Sequence, residues 1–391
     1  MKLAFVNQRY GLEVNGGSEY YTRLMAEHLA KQEGMEVHVI TTKAKDYTSW
    51  TNDYKEDTEE INGVTVHRFP TEHPRNKYRF YLAEKLRSMN FGPRNLIEKN
   101  WINEQGPYAP KLINYIRENK DNYDVFIFVT YLYYPAVFGL PEVADKAVFI
   151  PTAHDEPYIH MNIMKKLFQS PKAFVYLTEE EKEMVNRFFS NEKIPSDVIG
   201  VGIDKKEKSD TESIEKFREK YGINGEYLIY AGRIDEAKGC VEMFDYFQKD
   251  KENHPDLKLV ALGKAAMEVP EDENIITTGF VSDEEKDAAI AGAKALILPS
   301  KFESLSIAVL EAMADGVPVI VNGACPVLKG HIKRSNGGYY YHDFKSYQNA
   351  VNALWTAEYE EKKKNAVWYV ETNYKWEVIL NKFCSLLKNI V

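Results

Sequence analysis

Two carboxylates eight positions apart, Glu303 and Glu311, are set off by their surroundings. From Ser306 the run Ile307-Ala308-Val309-Leu310-Glu311-Ala312-Met313-Ala314 carries no charge but Glu311 until Asp315. A carboxylate among aliphatic side chains is costly unless donors match its oxygens. The hydroxyl pair of a ribose would match it. Glu303 precedes this helix, and the free N–H groups around Leu305, Ser306 and Ile307 make an anion site at its start. A second charged set, Arg233 and Lys238, lies in Gly232-Arg233-Ile234-Asp235-Glu236-Ala237-Lys238-Gly239. A strand ends there, a loop follows, and a helix begins near Lys238. The macrodipole disfavours cations at that end. An anion held between them would remove the conflict. A diphosphate suits, because arginine offers a planar fork of donors and lysine a point charge. The competing reading pairs both with Asp235 and Glu236 at the surface.

His154, in Phe149-Ile150-Pro151-Thr152-Ala153-His154-Asp155-Glu156-Pro157, follows a strand and could hydrogen-bond a sugar hydroxyl or a phosphate. A lone histidine is more often a packed or surface residue. Gly16 and Gly17 would let backbone approach a ligand closely. The full G-x-G-x-x-G fingerprint is missing, and so is an Asp-x-Asp metal pair. Cys240, Cys325 and Cys384 are far apart and odd in number, which disfavours a disulfide framework or a zinc site. No metal site is expected.

These residues need a scaffold, and the chain supplies α/β grammar twice. A strand at Leu3–Asn7, a helix capped near Ser18 and a strand at Glu36–Ile40 form a first unit, followed by strands at Val64–Phe69, Val125–Val129, Ala147–Pro151 and Ala173–Leu177. After the polar stretch Asp204–Ser213 come strands at Tyr227–Ala231, Lys258–Leu262, Ile275–Thr278, Ala295–Leu298 and Pro318–Val321. Helices are predicted at Gly239–Lys249, Asp283–Gly292, Ile307–Asp315 and Trp376–Val391. Near-continuous apolar strands belong to sheets covered on both faces. With 391 residues, at about 150 per domain, two or three domains fit, and two doubly wound α/β domains are the reading. The net charge of −9 argues against a main role in holding nucleic-acid phosphates. With 44% hydrophobic and 28% charged residues, disorder and coiled coil are excluded as the main architecture. The opening Met1–Asn7 has too few apolar residues for a signal peptide. The longest apolar run, Val125–Leu140, is broken by Thr130 and Pro135. The expected compartment is the cytoplasm.

Together these residues resemble the retaining nucleotide-sugar glycosyltransferases of family 4 (glycosyl transferases group 1), which have the GT-B fold. The resemblance runs from Gly16-Gly17 to the last helix. It is most specific at Glu303 to Glu311, the family's E-x7-E, within Pro299-Ser300 … Leu310-Glu311-Ala312-Met313-Ala314 … Gly316-Val317-Pro318-Val319, and at Gly232-Arg233 … Lys238-Gly239. Val201-Gly202-Ile203-Asp204 looks like the family's interdomain hinge, and Tyr374-Lys375-Trp376-Glu377 like the start of its last helix. The resemblance implies two Rossmann-like domains facing across a cleft. Residues 1–205 with 374–391 would bind the acceptor, and residues 206–373 the donor. Arg233 and Lys238 would bind the donor diphosphate, Glu311 the ribose and Glu303 the sugar hydroxyls. Backbone at Leu305, Ser306 and Ile307 would touch sugar and phosphate, Phe280 the base, and His154 the sugar. The implied reaction moves a hexosyl group to a sugar, glycan or lipid-linked acceptor, with neither cofactor nor metal. UDP is the working nucleotide, and surface polysaccharide or glycoconjugate synthesis the expected setting. The alternatives are a GT-B phosphorylase or epimerase and a non-catalytic sugar-nucleotide-binding protein. Two departures stand out. The family's Gly-Phe-Gly after the first glutamate is Ser304-Leu305-Ser306 here, and Asn322 through Tyr339 replaces its glycine-rich loop, which reads as a donor-side loop.

Residues 72–118 are locally basic. Nine cations (Arg75, Lys77, Arg79, Lys85, Arg87, Arg94, Lys99, Lys111, Arg117) face five acids (Glu72, Glu84, Glu98, Glu104, Glu118). Tyr78, Tyr81, Leu82, Leu86 and Met89 share one helical face, and a basic amphipathic helix can lie on an anionic membrane. That would place the protein peripherally at the inner face of the membrane. The plainer expectation is a solvated helix packed on its own domain. Trp101 and Gln105-Gly106-Pro107-Tyr108 either line the cleft or fill the core.

Overall fold

The computed structural model describes residues 1–14, 16–89, 92–204 and 209–391. Asn15 of the glycine loop and Lys205 and Lys206 at the expected boundary lie outside the described residues. The described residues form two compact units. One joins Met1–Gly202 with Ile379–Val391, and the other is Ile203–Val378.

The first unit has eight strands: β1 (Lys2–Val6), β2 (Glu36–Thr42), β3 (Thr58–Ile61), β4 (Val64–Phe69), β5 (Val125–Val129), β6 (Ala147–Ile150), β7 (Ala173–Tyr176) and β8 (Ser196–Val198). Their order is β3-β4-β2-β1-β5-β6-β7-β8. Only β3 runs antiparallel to its neighbour. Every residue of β5, β6 and β7 is buried, as parallel strands covered on both faces require. The winding reverses between β1 and β5, and such a switch point leaves a crevice beyond the strand ends.

The helix after β1 spans Gly17–Ala30 and buries Tyr21, Met25 and Leu29 on one face. Ser18 is not its cap, contrary to the sequence reading. Gly16 holds that position, and the Ser18 hydroxyl donates to Glu19 Oε2 at 2.8 Å. The last helix, Trp376–Ile390, buries Ile379, Leu380, Phe383, Leu386 and Leu387. Its Lys382 ammonium donates to the carbonyl of Val198 at 3.4 Å.

The second unit has six parallel strands: β9 (Tyr227–Ala231), β10 (Lys258–Leu262), β11 (Ile275–Gly279), β12 (Ala295–Leu298), β13 (Val319–Asn322) and β14 (Gly338–Tyr341). Their order is β11-β10-β9-β12-β13-β14. This is the doubly wound arrangement, with its switch point where β9 pairs with β12. The stretch Asn322–Tyr339 is not a loop. It contains the helix Pro326–Ser335 and leads into β14. Pro326 occupies the first turn, where its missing N–H would have no partner anyway. Val327, Leu328, His331 and Ile332 form the buried face. Among the described residues no helix is long and apolar enough to cross a membrane.

Candidate active site

The loop after β9 and the loop after β12 meet at the switch point of the second unit. Asp235 organises the first. Its Oδ1 accepts the backbone N–H of Lys238 at 2.8 Å, capping the short turn Glu236–Lys238. Its Oδ2 pairs with the guanidinium of Arg233. The Tyr230 hydroxyl donates to the carbonyl of Arg233 at 2.7 Å. Gly239 follows with φ 79°, and a Cβ there would meet the Pro299 carbonyl oxygen at 2.6 Å. Only glycine allows this approach of the two loops.

Lys238 reaches across to the second loop. Its Nζ donates to Glu303 Oε1 at 2.7 Å. The sequence reading that paired both cations with Asp235 and Glu236 is thus half met: Arg233 takes Asp235, and Lys238 takes Glu303. Asn322, at the end of β13, donates to the carbonyl of Pro299 at 3.2 Å and to Glu242 at 2.9 Å. These bonds hold the start of the Glu303 loop.

The helix Ile307–Ala314 begins without a side-chain cap. Leu305 is buried, and its carbonyl is held at 2.8 Å by Nε2 of the buried His331. Ser306 stands at φ 68°, in the left-handed region. That conformation costs a non-glycine residue roughly 1–2 kcal/mol. Ser306→Gly is therefore expected to stabilise the protein by about 1 kcal/mol, read as a higher denaturant midpoint at unchanged slope. An equal or lower midpoint would show that the seryl side chain compensates for its strain.

Glu311 does not wait for a ribose to satisfy it. Both of its oxygens take the Lys286 ammonium, at 3.0 and 3.1 Å. Burial works against the charge on Lys286, but Glu311 outweighs it and holds the pKa above the usual lysine value. Lys286 sits on the helix Asp283–Ala291, capped by Ser282 and Glu285. It is a site residue that the sequence reading missed. Asp283-Glu284-Glu285-Lys286 reads as an ordinary solvated first turn, and the only clue was the demand of Glu311 for donors. His331 was also missed, because its segment was read as a loop. Phe280, just beyond β11, is 69% exposed.

The structure thus brings Arg233, Lys238 and Glu303 together, with Leu305 and Ser306 leading into the adjoining helix, which begins at Ile307 and carries Glu311. Gly16, Gly17 and His154 belong to the first unit. Gly16 packs tightly, since a Cβ there would meet Glu19 Oε2 at 2.3 Å and Arg9 Nη2 at 3.1 Å. Glu19 and Arg9 are a buried pair at 2.5 Å. Gly17 has open space where a side chain would point. His154 lies 3.5 Å from Glu156. The backbone before it is anchored by Glu181, which accepts from Ala153 N–H at 2.5 Å and Leu177 N–H at 2.7 Å. Burial pushes the Glu181 carboxyl up to about 8, against those two bonds. Trp101 is core, stacked on Tyr158 at 4.6 Å.

Two Rossmann-like units of this topology define the GT-B fold. Solved structures agree along the whole chain. Sucrose-phosphate synthase of Thermosynechococcus elongatus superposes with a TM-score of 0.72 at 15% identity, covering 100% of this chain and 98% of that one. Anabaena Alr3699/HepE, solved in complex with UDP and glucose, gives 0.70 at 14% identity with complete coverage of both chains. An uncharacterized glycosyltransferase of Methanocaldococcus jannaschii is 24% identical over 351 residues, covering 82% of this chain and 80% of that protein. Residues 213–372 match the family described as Glycosyl transferases group 1. The second unit carries that domain, and the protein is a glycosyltransferase.

Proposed function

We propose that the protein is a retaining, metal-independent glycosyltransferase of family 4. In this reading it moves a hexosyl group from a nucleotide-diphosphate sugar, UDP being the first candidate, to a sugar, glycan or lipid-linked acceptor in surface polysaccharide or glycoconjugate synthesis. The observation that carries it is the Arg233–Asp235–Lys238–Glu303 set at the switch point between β9 and β12. Open α/β sheets bind ligands there.

Breaking the bond between the anomeric carbon and phosphate oxygen leaves negative charge on the diphosphate. Arg233, Lys238 and the N–H groups at Leu305–Ile307 are fixed donors for that charge, and their orientation is settled before the reaction begins. Glu303 accepts from sugar hydroxyls, Glu311 from the ribose, and Phe280 backbone meets the base. The acceptor oxygen attacks on the face the diphosphate leaves, and its proton passes to the departing phosphate oxygen. No protein nucleophile is needed, and the two-carboxylate scheme of glycosidases does not apply to Glu303 and Glu311. His154, Gly16 and Gly17 belong to the sugar and acceptor side.

A thermal-shift panel of nucleoside diphosphates, followed by product analysis with the matching nucleotide sugars, tests the reading. A ligand at 100 times its Kd stabilises the fold by about 2.7 kcal/mol, so one base should raise the melting temperature above the others. Sugar should then be transferred only when an acceptor is present. No response to any nucleoside diphosphate would overturn the proposal. Binding without turnover would leave a sugar-nucleotide-binding protein instead.

A further inference from the structure

The helix Lys77–Ser88 buries only Ala83 fully. Ala83 and Phe80 pack on the domain as the plainer expectation had it, with Phe80 against Trp101, but a second apolar face of the helix stays outside. Tyr78 is 70% exposed, Tyr81 60%, Leu86 48% and Met89 55%, with Leu82 alongside. At 100° per residue these five share one face, and exposed Lys77, Arg79 and Lys85 lie within or beside it. The next helix, Arg94–Gln105, adds exposed Leu96 and Lys99.

The charges are sorted. Three carboxylates lie between Lys77 and Gln105, and all are used internally. Glu84 accepts from Trp101 Nε1 at 2.6 Å and pairs with Arg87. Glu98 is buried and accepts from Ile163 N–H at 2.9 Å. Glu104 is buried and pairs with Arg79. Along the helix Lys77–Ser88 the outward face carries apolar groups and lysines, with the helix's one carboxylate, Glu84, on the opposite side bound to Trp101 and Arg87.

We propose that this face docks on an anionic lipid surface. The reading deepens the proposed lipid-linked acceptor and rests on it only for its purpose, not for its test. Tyrosine and leucine side chains enter the boundary between headgroups and acyl chains. Lysines lay their aliphatic stems along that layer and keep the ammonium among the lipid phosphates. A second copy of the chain fits poorly, because Lys77 and Lys85 of two such faces would meet with no carboxylate to separate them. The acidic remainder of the protein would be repelled by the same surface, which selects this face for contact.

The test is co-sedimentation of the full chain with vesicles of phosphatidylcholine alone or mixed with phosphatidylglycerol, at low and high salt. Binding is expected to the mixed vesicles only and to weaken with salt. Each of two double variants, Lys77→Glu with Lys85→Glu and Leu82→Gln with Leu86→Gln, should cut partitioning at least about tenfold. These side chains are exposed, so melting temperature and the thermal response to nucleoside diphosphates should stay as in the parent. Failure of donor binding with vesicle binding intact would therefore sink the transferase reading alone. No binding to anionic vesicles, equal binding by both variants, or a dimer in sedimentation that only the leucine variant dissolves would overturn the lipid assignment.

Discussion

Lys238→Ala is expected to lower turnover about 10²–10³-fold while leaving the protein folded. In the proposed reading the ammonium is one of two cations, with Arg233, that meet the charge developing on the leaving diphosphate. A fixed donor of that kind acts in the transition state more than in the ground state, so the loss should fall mainly on kcat. Stability should change little. The side chain is 37% exposed, and its bond to Glu303 is a partly exposed ion pair. Such pairs contribute about 0–1 kcal/mol. Glu303 provides the internal control, because Lys238 and Glu303 touch. If both act on the same bound donor, the double variant Lys238→Ala with Glu303→Gln should lose less than the product of the two single losses. Near-normal turnover in Lys238→Ala would remove the diphosphate role.

Much of the scaffold was legible because of how buried parallel strands are made. β4, β5, β9, β10 and β12 match their predicted spans residue for residue, since each is a short apolar or alternating run bounded by polar residues. The strands that escaped are β3 and β8, Thr-Glu-Glu-Ile and Ser-Asp-Val, and β14, Gly-Tyr-Tyr-Tyr. All three sit at sheet edges. An edge strand draws its order from one neighbour; β3 and β8 carry no apolar run to announce it and β14 lies at the end of a segment read as a loop, whereas the edge strand β11, with Ile275-Ile276, was read. The site was legible to the same depth. Residue types at strand ends pointed to Arg233, Lys238, Glu303 and Glu311. Their partners were not readable, because the Lys286–Glu311 and His331–Leu305 contacts span helices whose packing no local pattern encodes. The charge sorting on Lys77–Ser88 was hidden for the same reason. A sequence sum counts Glu84 and Glu104 against the cations, whereas in the fold Glu104 is buried and Glu84 is tied to Trp101 and Arg87.

Glu311→Gln is expected to weaken nucleoside diphosphate binding by about 1.5–3 kcal/mol, which is roughly tenfold to a hundredfold. In the proposed reading the carboxylate would accept from a ribose diol as a charged acceptor, whereas the amide would offer a single neutral one. Lost affinity alone would not prove the contact, since the substitution also breaks the Lys286 pair. The decisive comparison uses a 2′,3′-dideoxy nucleoside diphosphate in calorimetry. The parent protein should prefer the ribonucleotide by about the factor lost in the variant, and Glu311→Gln should nearly lose that preference. Lys286→Met should behave differently. It leaves the carboxylate in place, so the preference for the diol persists, while a half-buried carboxylate without its cation costs stability of about 1–3 kcal/mol. If Glu311→Gln discriminates against the dideoxy ligand as strongly as the parent, Glu311 does not hold the ribose, and its partnership with Lys286 is structural only.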